Sequence, residues 1–123
     1  MLLAIVDTSS ILFGFSNRRD VFAAVSERFP GAGMLISAGV LAELAGISEN
    51  RGKRGTSART ALEAIKHKKI LVDKDTGNVD AWIRSKSLES KHSVVITNDT
   101  ELLRVLRSSG VMCLKLTRQG LLR

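Results

Sequence analysis

The stretch Val94-Val95-Ile96-Thr97-Asn98-Asp99-Thr100-Glu101-Leu102-Leu103-Arg104-Val105-Leu106 contains the change of pattern that decides how this chain folds. Three consecutive apolar residues, Val94 to Ile96, suit a strand buried on both faces, because a half-exposed strand would alternate. Thr97 to Glu101 is polar and opens a helix whose Leu102, Leu103 and Leu106 face inward. Asn98 and Glu101 have the separation of a capping pair, and Gly110 offers a left-handed stop. A buried strand running directly into a helix is the unit from which parallel sheets are built.

The same unit recurs outward from this segment. At the beginning of the chain, Leu2 to Val6 is an apolar run closed by Asp7, and Thr8-Ser9-Ser10 supplies capping hydroxyls for a helix through Phe15. Asp20 caps a further helix, which Pro30-Gly31 ends. Met34 to Ile36 reads as a second strand, with Ser37 capping a helix to about Ile47 on which Val40, Glu43, Leu44 and Ile47 share a face. Ile70 to Val72 is a third strand and Asp73 to Gly77 a turn, followed by a helix from Val79 to about Ser90. Val111 to Leu114 makes a fifth strand; the tail to Arg123 carries no deciding pattern. Between the second strand's helix and the third strand, Glu49 to Thr60 holds Gly52 and Gly55 among Arg51, Lys53, Arg54 and Arg59, and reads as a mobile loop before a helix marked by Ala58, Ala61, Leu62 and Ile65. The expected fold is α/β, a three-layer α/β/α sandwich around a mostly parallel, roughly five-stranded sheet. A length of 123 residues fits a single domain, 1–123.

Nineteen Lys and Arg against twelve Asp and Glu give a net charge of +7, which points to a polyanionic partner. One cysteine, Cys113, excludes an intrachain disulfide and a cysteine-rich zinc site, and its apolar surroundings suit a buried structural thiol. No apolar run approaches the roughly 20 residues needed to span a bilayer, and the start lacks the basic flank of a signal peptide. The expected location is cytoplasmic, with no membrane partner.

Against this basic background the placement of certain acids calls for a reason. In an open parallel sheet, ligands collect at the carboxyl ends of the strands. Asp7 stands past the first strand and Asp99 past the fourth; Glu43 is two turns into the helix after the second strand; Asp80 opens the helix before the fourth. Each has a structural reading as well. Asp7 has the position of a helix cap, Asp80 and Asp99 lie in first turns where the helix dipole favours acids, and an edge position would account for Glu43. Read together, they form a carboxylate cluster, which repels itself unless a cation holds it. Oxygen ligands without His or Cys select Mg²⁺ or Mn²⁺, ions that activate water and neutralise a phosphodiester under attack.

Four segments carry a family resemblance: Ile5-Val6-Asp7-Thr8-Ser9, Val40-Leu41-Ala42-Glu43-Leu44, Asp80-Ala81-Trp82-Ile83, and Ile96-Thr97-Asn98-Asp99-Thr100-Glu101-Leu102. In order and spacing the chain resembles PIN domains, and among them short archaeal stand-alone members and VapC-type toxin ribonucleases. The resemblance implies a Rossmann-like sandwich and a Mg²⁺- or Mn²⁺-dependent endoribonuclease that forms no covalent enzyme intermediate. It makes Asp7, Glu43, Asp80 and Asp99 the metal-binding acids, with Thr8, Ser9, Thr97 and Asn98 as polar support. It also implies a homodimer and, for toxin-type relatives, a small antitoxin partner. Many relatives carry a second acid after the third acidic position; here that residue is Ala81, which leaves room for one firm metal site and a second formed only with substrate.

Arg51, Lys53, Arg54 and Arg59 follow Glu43 closely and are the candidate phosphate contacts. Trp82 is read as packing rather than stacking. Two other functions compete with the nuclease. One is a catalytically weak PIN domain serving as an RNA- or protein-binding scaffold. The other is a receiver-like phosphoacceptor, which would want an acidic pair before Asp7, where Leu2 to Val6 offers no acid.

Overall fold

The computed structural model describes residues 1–123. Five strands, β1 (Leu3–Val6), β2 (Gly33–Ser37), β3 (Leu71–Asp73), β4 (Ser93–Ile96) and β5 (Cys113–Leu114), form one sheet in the order β3-β2-β1-β4-β5. Every pairing is parallel, as continuous apolar runs require when helices cover both faces. Six helices connect them: α1 (Thr8–Ser16), α2 (Val21–Arg28), α3 (Ala38–Ser48), α4 (Lys53–Lys66), α5 (Val79–Glu89) and α6 (Thr100–Ser108). Helices α1 to α4 pack on one another, while α5 lies against β4 and α6 against β5. The α/β sandwich expected from the sequence is the fold observed.

Central strands β1 and β4 are equally buried, with Ala4, Ile5 and Val6 of the one and Val94, Val95 and Ile96 of the other inaccessible to solvent. Around them stands one contiguous apolar core that includes Phe22, Ile36, Leu44, Ile83, Val95 and Leu102. Trp82 belongs to this core, as expected; its indole Nε1 is buried without a hydrogen-bond partner in range. Cys113 is likewise buried, and burial pushes its thiol up to about 12, so it is inert at neutral pH.

Three local expectations need correction. The segment 49–60 is not a loop throughout, because α4 begins at Lys53 and only 49–52 connect it to α3. Gly55 is buried in the first turn of α4 at a point where a Cβ would stand 1.9 Å from the Asn50 carbonyl oxygen. The glycine is therefore a close-approach residue that lets two helices join through a short turn, not a sign of mobility. β5 is shorter than Val111–Leu114, and the remaining tail folds back through an antiparallel bridge between Leu116 and Leu122. Finally, β3 runs Leu71–Asp73 rather than Ile70 to Val72. Asp73 both closes the strand and opens the expected turn, its Oδ1 accepting from the Asp75 amide at 3.0 Å and its Oδ2 pairing with Lys86 at 3.1 Å.

Candidate active site

The strand order places β2 and β3 on one side of β1 and β4 and β5 on the other: the chain builds outward from β1 to β3, then crosses back through α5 to β4 and builds the other way. Such a switch point opens a crevice at the carboxyl ends of the strands. Val6 pairs with Ile96, and the Asp7 amide donates to the Ile96 carbonyl at 2.9 Å, which sets Asp7 and Thr97 side by side at that crevice.

Asp7 occupies the N-cap position of α1 but makes no side-chain cap bond. Its carboxylate turns across the sheet end instead, and Oδ2 accepts from Ser9 Oγ at 2.6 Å and Thr97 Oγ1 at 2.7 Å. The residue is only 4% exposed. Burial pushes its carboxyl above the ordinary range; the two hydroxyls oppose the shift, and the negative charge of Glu43 adds to it. The capping explanation of Asp7 is thereby set aside.

Glu43 is not a core residue, as its stripe suggested. It is exposed at the edge of the α3 face, and Thr8 Oγ1 donates to its Oε1 at 2.6 Å. The placement of α3 starts from its cap, Ser37, whose Oγ accepts from the Val40 amide at 3.1 Å. Asp80 comes from the opposite direction, in the first turn of α5, which Asn78 caps through the Ala81 amide. The loop before it closes on α3, where Gly39 donates to the Asp75 carbonyl at 3.0 Å. A Cβ on Gly39 would come within 2.9 Å of the Gly77 carbonyl oxygen, so the contact needs glycine. Burial raises the Asp80 carboxyl, and the charges of Asp7 and Asp99 raise it further against a smaller pull from Arg84.

Asp99 is the N-cap of α6, its Oδ1 accepting from the Leu102 amide at 3.0 Å. That corrects the assignment of the cap to Asn98 and Glu101. Glu101 pairs with Arg104 on the surface, and Asn98 faces the other way, holding both the amide and the carbonyl of Leu116. Ser10, which the sequence marked only as a capping hydroxyl, donates to Asn98 Oδ1 at 2.7 Å. No local signal could have shown this, because its partner is 88 residues away.

Asp7, Glu43, Asp80 and Asp99 together line one cleft of about 500 Å³ with Thr8, Ser9, Asn98 and Arg54. Of the four candidate cations, Arg54 alone lines this cleft. Arg51 and Lys53 are exposed beside it in sequence, and Arg59 is turned back onto the Ser48 carbonyl at 2.6 Å.

The donor set fits a hard cation. Each carboxylate keeps an oxygen free of any side-chain donor: Oδ1 of Asp7, Oε2 of Glu43, both oxygens of Asp80 and Oδ2 of Asp99. As placed, no three of the acids stand close enough to ligate one ion in common. Their mutual repulsion, registered at Asp7 and Asp80, is what a bound cation would relieve.

A family model described as a PIN-like domain matches residues 4–119. No curated protein sequence matches the chain. Among solved structures, the fold is similar to that of the PIN domain endonuclease Utp24, with a TM-score of 0.75 at 24% identity over 96% of this chain and 87% of that one. A domain of a functionally unknown protein from Methanocaldococcus jannaschii gives 0.65 at 18% identity, over 95% of this chain and 92% of that one. VapBC-1 from nontypeable Haemophilus influenzae gives 0.61 at 19% identity, over 91% and 96%. The fold, the switch-point cleft and a family match across nearly the whole sequence agree, and the chain belongs to the PIN-like domain family.

Proposed function

We propose that residues 1–123 form a single nuclease domain that hydrolyses RNA phosphodiester bonds internally, with Mg²⁺ or Mn²⁺ held by Asp7, Glu43, Asp80 and Asp99. The observation that carries this reading is the convergence of all four acids, from four separate elements, on one cleft that also presents Arg54. When bound, the ion supplies an activated water and neutralises charge on the phosphodiester. The chain's own part is to hold the ligands and the substrate in place. Ser9 and Thr97 fix Asp7 through Oδ2, Thr8 fixes Glu43, and the α6 cap fixes Asp99. Arg54 contributes a phosphate contact at the cleft wall. On the same reading the chain works as a homodimer, which sedimentation would register as twice its 13.4 kDa mass.

A second reading, a weakly catalytic scaffold that binds RNA or protein in this cleft, is favoured by the spread of the acids and by Ala81 in place of a further carboxylate. One experiment separates the two. A labelled RNA pool is incubated with purified wild type, Asp7→Asn and Asp99→Asn chains in Mn²⁺, in Mg²⁺ and in chelator. Metal-dependent cutting that both variants lose supports the nuclease. Intact RNA with wild type in every condition, or equal cutting by the variants, supports the scaffold.

A further inference from the structure

The acid cleft does not end at Asn98. Phe13 and Asn98 line both it and a second cleft of about 380 Å³, whose other walls include Thr100, Lys115, Thr117 and Arg118. Lys115 and Arg118 are exposed, and neither is within salt-bridge distance of a carboxylate, unlike Lys68, Lys86 and Arg104. The half-buried Phe13 is the one aromatic ring lining either cleft.

The tail that carries these cations is built onto the acid site. Asn98 Nδ2 donates to the Leu116 carbonyl at 2.9 Å, and Asn98 Oδ1 accepts from the Leu116 amide at 3.1 Å. Lys115 is thus fixed one residue from a backbone clasp made by the immediate neighbour of Asp99. The hairpin closes on itself through Thr117 to Leu121 at 2.8 Å and Arg123 to Lys115 at 2.9 Å. Arg19 braces it from behind, its Nε donating to the Arg118 carbonyl at 3.1 Å.

We infer that this second cleft is a phosphate-binding subsite for single-stranded RNA, carrying the strand on from the acids across Lys115 and Arg118. Arg54 lines the acid cleft but not the second one, so a strand running through both clefts meets a cation in each. Phe13 at the junction supplies a face on which a base stacks. This rests on the RNA-nuclease reading above and extends it to the course of the substrate.

The test is binding of a short labelled oligouridylate, in chelator so that no cutting occurs, by wild type, Lys115→Ala/Arg118→Ala and Lys69→Ala/Lys91→Ala. The last pair removes the same charge just ahead of β3 and β4, at the amino ends of the strands and so at the opposite end of the sheet from both clefts. The expected result is affinity about tenfold weaker for the hairpin variant, with a salt slope lower by about 1.4 for two lost phosphate contacts, and little change in the control. Equal loss in both double variants, or none in the hairpin variant while the wild type binds and cuts RNA, overturns the subsite and leaves the nuclease standing. A wild type that neither binds nor cuts RNA overturns both.

Discussion

Replacing Gly55 with alanine sets two physical effects of opposite sign against each other. Alanine is favoured over glycine inside a helix by up to about 1 kcal/mol, partly through the unfolded chain. If 49–60 were a mobile loop or an ordinary helix start, the variant would be neutral or more stable. In the structure, a Cβ at this position would lie 1.9 Å from the Asn50 carbonyl oxygen and 2.8 Å from its carbon, both backbone atoms. A real Cβ contact is rarely under 3.0 Å, so the turn at 50–52 must open by about 1.1 Å. That movement draws on the Arg59 bond to Ser48 and on the packing of buried Ala58 and Ala61. Overpacking against backbone typically costs about 1–3 kcal/mol, and this contact belongs at the upper end. The net expectation is destabilisation by about 2 kcal/mol. Urea unfolding followed by the fluorescence of buried Trp82 gives the difference directly. Because Arg54 adjoins the displaced residue, RNA affinity should weaken as well. An Ala variant as stable as wild type, or more so, would refute the close approach and with it the placement of α4.

Other consequences concern the acids. In chelator, Asp7→Asn should raise stability at neutral pH: burial lifts the folded carboxyl above its ordinary value of 3.8, so ionising it penalises the fold. The penalty is absent below the unfolded value, where both states are protonated, and is complete once pH rises past the folded value. The gain over wild type in thermal unfolding should therefore vanish in acid, and a gain independent of pH would contradict the burial argument. At the other strand end, Asp99→Ala should cost about 1 kcal/mol by removing the α6 cap, whereas Asp99→Asn keeps it, so the two variants differ in stability while both lose cutting. Saturating Mn²⁺ should raise the melting temperature of wild type, by an energy of about 2.7 kcal/mol at a hundredfold excess over Kd, and leave Asp7→Asn nearly unmoved. An equal rise in both would place the ion elsewhere.

The repeated strand-to-helix unit was legible from local pattern, and so were the places of all five strands, the caps Asp20 and Ser37, and the left-handed stop at Gly110. These depend on neighbours a few residues apart, whose periods and capping hydroxyls act through the adjacent backbone. The candidate acids were legible too, because their positions relative to strand ends follow from the same units. What each carboxylate does was a matter for the tertiary structure. Asp7 gives up its cap for Ser9 and Thr97, Glu43 leaves the core for the cleft edge, and Asp99 takes the cap that Asn98 seemed placed to provide. Asp7 and Glu43 are held by Thr97 and Thr8, brought from tens of residues away by the packing of the elements, and Asn98 is drawn off its cap position by Ser10 and Leu116; local sequence contains none of these partners. The same reason explains Gly55 and Asn98. The contact that makes that glycine necessary and the clasp that ties the tail to the acid cleft exist only once the elements are packed.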